Sequence, residues 1–98
     1  MAGCTALRVT VVIRGPLAGH MHKALVEVEI DGTANVGSAL NKLIALDRVI
    51  EAAWKDADKL EQDALILCND IDIGLTGGLS TGIREGDRIV VVPLVHGG

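Results

Sequence analysis

Aromatic side chains are almost missing from this chain: Trp54 stands alone among 98 residues, with no Phe and no Tyr. A base-stacking platform needs several rings, and binding to a nucleic-acid backbone needs a surplus of Lys and Arg. Nine basic residues against thirteen acidic ones leave a net charge of −4, so no nucleic-acid partner is expected. Cysteine is scarce as well. Cys4 and Cys68 have no zinc-ligand spacing, and both are expected as free thiols, Cys68 as a small core residue closing an apolar run. No apolar run approaches the ~20 residues that span a bilayer. Met1-Ala2-Gly3-Cys4-Thr5 lacks the basic and apolar stretches of a secretory signal, so no membrane partner and a cytoplasmic location are expected.

Chemistry-bearing constellations are also lacking. Gly74 to Gly78 has no lysine and precedes no helix, which excludes a phosphate loop. Asp70, Asp72, Glu85 and Asp87 fall in turns, where carboxylates commonly bond to nearby backbone, and nothing orients them as an acid–base pair. His20 and His22 lie two apart without further ligands, so no metal is expected. The chain does not read as an enzyme.

What is present is a core-forming pattern, since 49% of the residues are hydrophobic and the length suits one domain. Leu7, Val9, Val11 and Ile13 alternate with Arg8, Thr10, Val12 and Arg14, the period-two mark of a half-buried strand. Gly15 to Gly19 is a turn segment, and Val26, Val28 and Ile30 then alternate with Leu25, Glu27 and Glu29 in a second, antiparallel strand. Asn35 is a helix N-cap. Val36, Leu40, Leu43, Leu46, Ile50 and Trp54 follow as one apolar helical stripe, with Asp47 a possible break. Residues 55–63 are polar, either a last helical turn or a solvated loop. Ala64 to Cys68 and Ile71 to Ile73 are further strands joined at Asn69-Asp70, and Arg88 to Val92 is a final strand stopped by Pro93, which has no N–H to donate. A helix crossing one face of a mixed sheet of four to five strands is an α+β arrangement. With the first and last strands central and parallel it is the ubiquitin-like β-grasp. The expected division is a domain over 1–93 and a flexible tail over 94–98.

That tail ends Val95-His96-Gly97-Gly98. Two terminal glycines add nothing to a core and are costly to order. They do make a thin peptide that can be threaded into a narrow channel, carrying an unhindered carboxylate that is ionised at neutral pH. Beyond Pro93, five residues reach about 16–18 Å.

Asn69-Asp70, Gly77-Gly78-Leu79-Ser80-Thr81, Gly86-Asp87 and Pro93-Leu94-Val95-His96-Gly97-Gly98, in that order, resemble the ubiquitin-like sulfur-carrier family. That family includes the small subunit of molybdopterin synthase and the thiamine sulfur carrier. The resemblance implies that the chain binds no cofactor itself. An E1-like activating enzyme would spend ATP to adenylate the Gly98 carboxylate, with Pro93, Leu94, Val95, His96 and Gly97 threaded toward its nucleotide. A persulfide protein would supply the sulfur of a C-terminal thiocarboxylate. A synthase subunit, such as the molybdopterin synthase large subunit, would accept it. The long middle segment resembles the molybdopterin-type carriers, so molybdopterin biosynthesis is the expected pathway, although Leu94 and His96 depart from the family pattern. Carriers serving thiamine, cysteine or tRNA thiolation stay open as alternatives. So do a modifier joined through Gly98 to lysines and an interaction module that is never activated. The family register turns Ile89 and Val91 toward the helix, leaving Val12, Leu25, Val90 and Val92 as an apolar partner surface on the opposite sheet face.

Overall fold

The alternation in the first strands is obeyed side chain by side chain. The computed structural model describes residues 6–14, 25–32 and 34–94. In it Leu7–Ile13 forms β1 and Leu25–Ile30 forms β2, paired antiparallel with Val9 opposite Val28 and Val11 opposite Val26. Val9, Val11, Ile13, Val28 and Ile30 are buried, while Arg8, Glu27 and Glu29 between them are exposed, as a period of two requires. The expected turn at Gly15 to Gly19, with Cys4, His20 and His22, lies outside the described residues.

The apolar stripe, expected as one main helix with a possible break at Asp47, is two helices, and the polar stretch after it supplies a third. Asn35 opens α1, Val36–Leu46, through a reciprocal cap. Its Oδ1 accepts from the Ser38 N–H at 2.7 Å, and the Ser38 Oγ accepts from the Asn35 N–H at 3.0 Å. Asp47 then breaks the helix. Its backbone is extended, and its Oδ1 accepts from the N–H groups of Val49 and Ile50 at 2.9 and 3.2 Å. A short carboxylate side chain that satisfies orphan donors restarts a helix in a new direction rather than continuing the old one. The second helix, α2, is Arg48–Ala53. The change of direction leaves Leu46 62% exposed, whereas Val36, Leu40, Leu43, Ile50 and Trp54 are buried as expected. The polar stretch 55–63 supplies α3, Ala57–Asp63, capped by Asp56 on the Lys59 N–H at 2.9 Å. Asp58, Lys59 and Glu61 are exposed and Asp63 half-buried, and the helix buries Ala57 and Leu60.

Ala64–Cys68, Ile71–Asp72 and Arg88–Pro93 are β3, β4 and β5. The sheet order is β2-β1-β5-β3-β4, with β1 and β5 parallel at its centre and the helices on one face. This is the α+β, ubiquitin-like β-grasp. The β3–β4 turn holds Asn69 and Asp70 at φ of 52° and 71°, a left-handed pair that short polar side chains tolerate best after glycine. Asn69 is braced from β5: its Oδ1 accepts from the Arg88 N–H and its Nδ2 donates to Asp87, both at 3.0 Å. The irregular stretch after β4 contains two 3₁₀ turns, Ile73–Leu75 and Gly78–Ser80, and Gly77 and Gly78 take the positive φ expected of them, 117° and 64°. Leu79 packs half-buried against the core. A Cβ on Gly37 would lie 3.2 Å from the Leu79 carbonyl oxygen, so the start of α1 approaches this segment more closely than a larger residue would comfortably allow.

Candidate functional site: the root of the tail and the open sheet face

Hydrogen-bond direction along β5 decides how the chain leaves the domain. The carbonyls of Asp87 and Val91 accept from Thr10 and Arg14 on the β1 side, at 3.0 and 2.9 Å, and that of Arg88 accepts from Asn69 on the β3 side at 2.8 Å. Alternation therefore puts the Pro93 nitrogen on the β1 side, where it has no proton to give. Pairing toward β3 continues: Pro93 lies opposite Ala64, and the Leu94 N–H donates to the Asp63 carbonyl at 2.8 Å. Pro93 thus ends the ladder on one side only, and the Leu94 amide, the first of the segment expected as a tail, is still bonded to the domain. The Leu94 side chain is exposed. Val95, His96, Gly97 and Gly98 lie outside the described residues.

The sheet face away from the helices has two halves. Leu25, Val12, Val90 and Leu67 form one row across β2, β1, β5 and β3, and Val92 opposite Leu65 comes next toward the tail root. Farther along, Thr10 sits between Glu27 and Arg88, and Arg8 meets Glu29 at 3.4 Å. The apolar half therefore borders the end of the domain from which the tail departs.

Ile89 and Val91 belong to the core beneath the helices, in the expected register, and Val90 points the other way. The expectation of Val90 as an exposed contact needs correction, because it is only 4% exposed. Its strand is central, and Val12 and Leu67 flank it on the same face, as close cross-strand neighbours do. Val12 and Val92 are half-buried, and Leu25 is 52% exposed. Leu65 and Leu67 join this face through their pairing with Val92 and Val90. Ala64 to Cys68 is apolar throughout, so alternation gives no hint of its faces, and only its pairing with Val90 and Val92 assigns them.

Asp72 and Asp87 bond nearby backbone as expected of turn carboxylates, whereas Glu85 reaches across to β1. Asp72 accepts from the Gly74 N–H at 2.8 Å, Glu85 from the Arg8 N–H at 2.9 Å, and Asp87 from the Arg84 N–H at 2.8 Å. Among the described residues no group of three or more His, Cys, Asp or Glu could hold a metal ion, and no helix is long and apolar enough to cross a membrane.

Cys68 is half-buried against the core. Burial pushes its thiol pKa up, and the nearby Asp87 carboxylate adds to the shift. The neutral thiol is therefore favoured in the folded state. That contribution to stability is complete below the ordinary thiol pKa of ~8.5 and is lost as pH rises through the folded-state value. Alkylation of Cys68 by iodoacetamide at pH 8, mapped by peptide mass, is expected to be slower in the folded protein than in denaturant. Equal rates would contradict this placement.

Comparison with known proteins agrees with the geometry. The model of the ThiS family matches residues 18–98. Sulfur carrier protein CysO of Mycobacterium tuberculosis is 42% identical over 40 residues. That stretch spans 41% of this chain and 43% of CysO, less than half the length of this curated relative. Among solved structures, SAMP1 from Haloferax volcanii superposes with a TM-score of 0.74 at 26% identity, covering 93% of this chain and 99% of that one. A chain of the Amycolatopsis orientalis BexX/CysO complex superposes with a TM-score of 0.65 at 26% identity, covering 92% of this chain and 99% of that one. The chain belongs to the ThiS family, small ubiquitin-like sulfur carriers and modifiers rather than catalysts.

Proposed function

We propose that this chain carries sulfur as a thiocarboxylate on Gly98. The observation that carries the reading is the family match, which takes in β2 to β5 and runs on to Gly97-Gly98. An E1-like enzyme adenylates the Gly98 carboxylate with ATP and releases pyrophosphate. The terminal sulfur of a persulfide donor then displaces AMP to give an acyl disulfide, and a second thiol cleaves its S–S bond, which leaves the thiocarboxylate on Gly98 and a disulfide on the donor side. Leu94, Val95, His96 and Gly97 occupy the channel to the nucleotide, and the chain binds no cofactor of its own. The likeness to CysO favours an acceptor that builds the thiol of cysteine over the large subunit of molybdopterin synthase. The sulfur-loaded protein is expected to lose its sulfur to a cysteine-forming acceptor enzyme. Transfer only to a molybdopterin-forming acceptor would reverse that choice, and transfer to neither would count against a carrier. A second reading, a modifier joined through Gly98 to lysines, draws on the likeness to a small archaeal modifier protein; recovery of Gly98 linked to lysine side chains would establish it.

The apolar half of the sheet face serves as the docking surface for the activating enzyme in this account. Val92→Lys is expected to keep the melting temperature and weaken that binding, because it places a charge in an apolar contact. Val90→Lys is expected to lower the melting temperature as well, since its site is almost closed to water. Thermal unfolding combined with a binding titration separates the two. Unchanged binding by the folded Val92→Lys protein would remove this face from the mechanism.

A further inference from the structure

The point at which the tail leaves the domain is tied into the helical layer through one residue. Asp63 closes α3 and immediately precedes β3. Its backbone carbonyl accepts from the Leu94 N–H at 2.8 Å, and its side-chain Oδ2 accepts from the indole Nε1 of Trp54 at 3.0 Å. Trp54 is itself anchored. It is 6% exposed within the core cluster, and its backbone N–H donates to the Ile50 carbonyl at 2.8 Å. A continuous path therefore runs from the core, through the indole and the Asp63 carboxylate, to the first residue after Pro93. On the β1 side Pro93 can donate no bond, so the β3 side holds the backbone at this level.

We infer that Asp63, held by Trp54, is a positioning residue that fixes the direction and depth at which the C-terminal residues are presented to an activating enzyme. This role rests on the carrier reading above. If the Leu94 N–H bond is lost, one constraint on the backbone where it leaves β5 is removed and must be restored on capture. Fixing one residue's backbone weakens capture by roughly five- to thirtyfold. Once the terminus is seated, the reacting geometry is the same. The penalty should therefore fall on KM for the carrier and spare kcat.

The test uses the full chain with Asp63→Ala, Trp54→Phe and Asp63→Asn, the last keeping an oxygen that can accept from the indole. Amide exchange at Leu94 is followed by NMR in the free protein, with the Val90 and Ile66 amides as internal references for global stability. Activation kinetics with the E1-like enzyme and ATP are measured alongside. Asp63→Ala and Trp54→Phe are expected to speed Leu94 exchange relative to the references and to raise KM by roughly five- to thirtyfold with kcat little changed, and Asp63→Asn to restore both. Unaltered Leu94 exchange in Asp63→Ala and Trp54→Phe overturns the tie itself. Faster exchange with unchanged KM overturns the positioning role. Failure of the wild type to be activated at all overturns the carrier reading, and the free-protein exchange result still reports separately on the tie.

Discussion

One alanine added after Gly98 should abolish ATP-dependent activation and leave thermal unfolding unchanged. The proposed reaction needs the terminal carboxylate at a depth set by the residues that follow Leu94. An extra residue moves it by about 3.3–3.6 Å and adds a Cβ at the narrowest point of a channel shaped for glycine. Misplacing a reacting group by even ~1 Å can cost on the order of a hundredfold in rate, so a shift of this size should remove activity from the assay. Deleting Gly98 displaces the carboxylate the other way and should fail equally. Neither change touches a residue of the core cluster, whose last member along the chain is Val91. Melting curves and pyrophosphate release, measured on the same preparations, check both halves. Activation of the extended protein at the normal rate, without prior trimming, would show that Gly98 is not the reactive end and would favour an interaction module.

Leu43→Ala should cost about 2–5 kcal/mol of stability. Leu43 is fully buried on α1, in a cluster that gathers side chains from both layers. Truncation removes apolar burial and leaves a cavity that close-packed neighbours fill only in part. Among the described residues the core holds no buried polar group, so no hydrogen bond can compensate. Leu46→Ala is the internal comparison: the same residue type three positions on, but 62% exposed, should change stability by no more than about 0.5 kcal/mol. Denaturant titration checks both. Equal losses would mean that α1 is rotated from the orientation described here.

The contrast between Leu43 and Leu46 also shows where sequence reasoning stopped. A step of three from Leu43 places Leu46 on the buried stripe; Asp47 is legible as a possible break, but periodicity does not show that Leu46 is left exposed beside it. Alternation was decisive in β1 and β2, where polar residues mark the outer face, and the family register oriented Ile89 and Val91 correctly. It failed for Leu65 and Leu67, whose neighbours are equally apolar, and for Val90 it gives the face but not how closed to water that face is on a central strand. The helix over 57–63 was ambiguous because only Ala57 and Leu60 turn inward. The Trp54–Asp63 bond and the Leu94 pairing were invisible because each joins elements through tertiary contact. Gly97-Gly98 is the opposite case: its proposed role comes from sequence and family, since the described residues stop at Leu94.

The carrier account is tested most directly by the intact mass of this protein isolated from its native cells, before and after incubation with its activating enzyme, ATP and a persulfide donor. A sulfur carrier should show a species heavier by the exchange of one oxygen for one sulfur, confined to the C-terminal peptide and absent from the alanine-extended variant. A mass that never departs from the unmodified value, with the activating enzyme supplied and active, would contradict it.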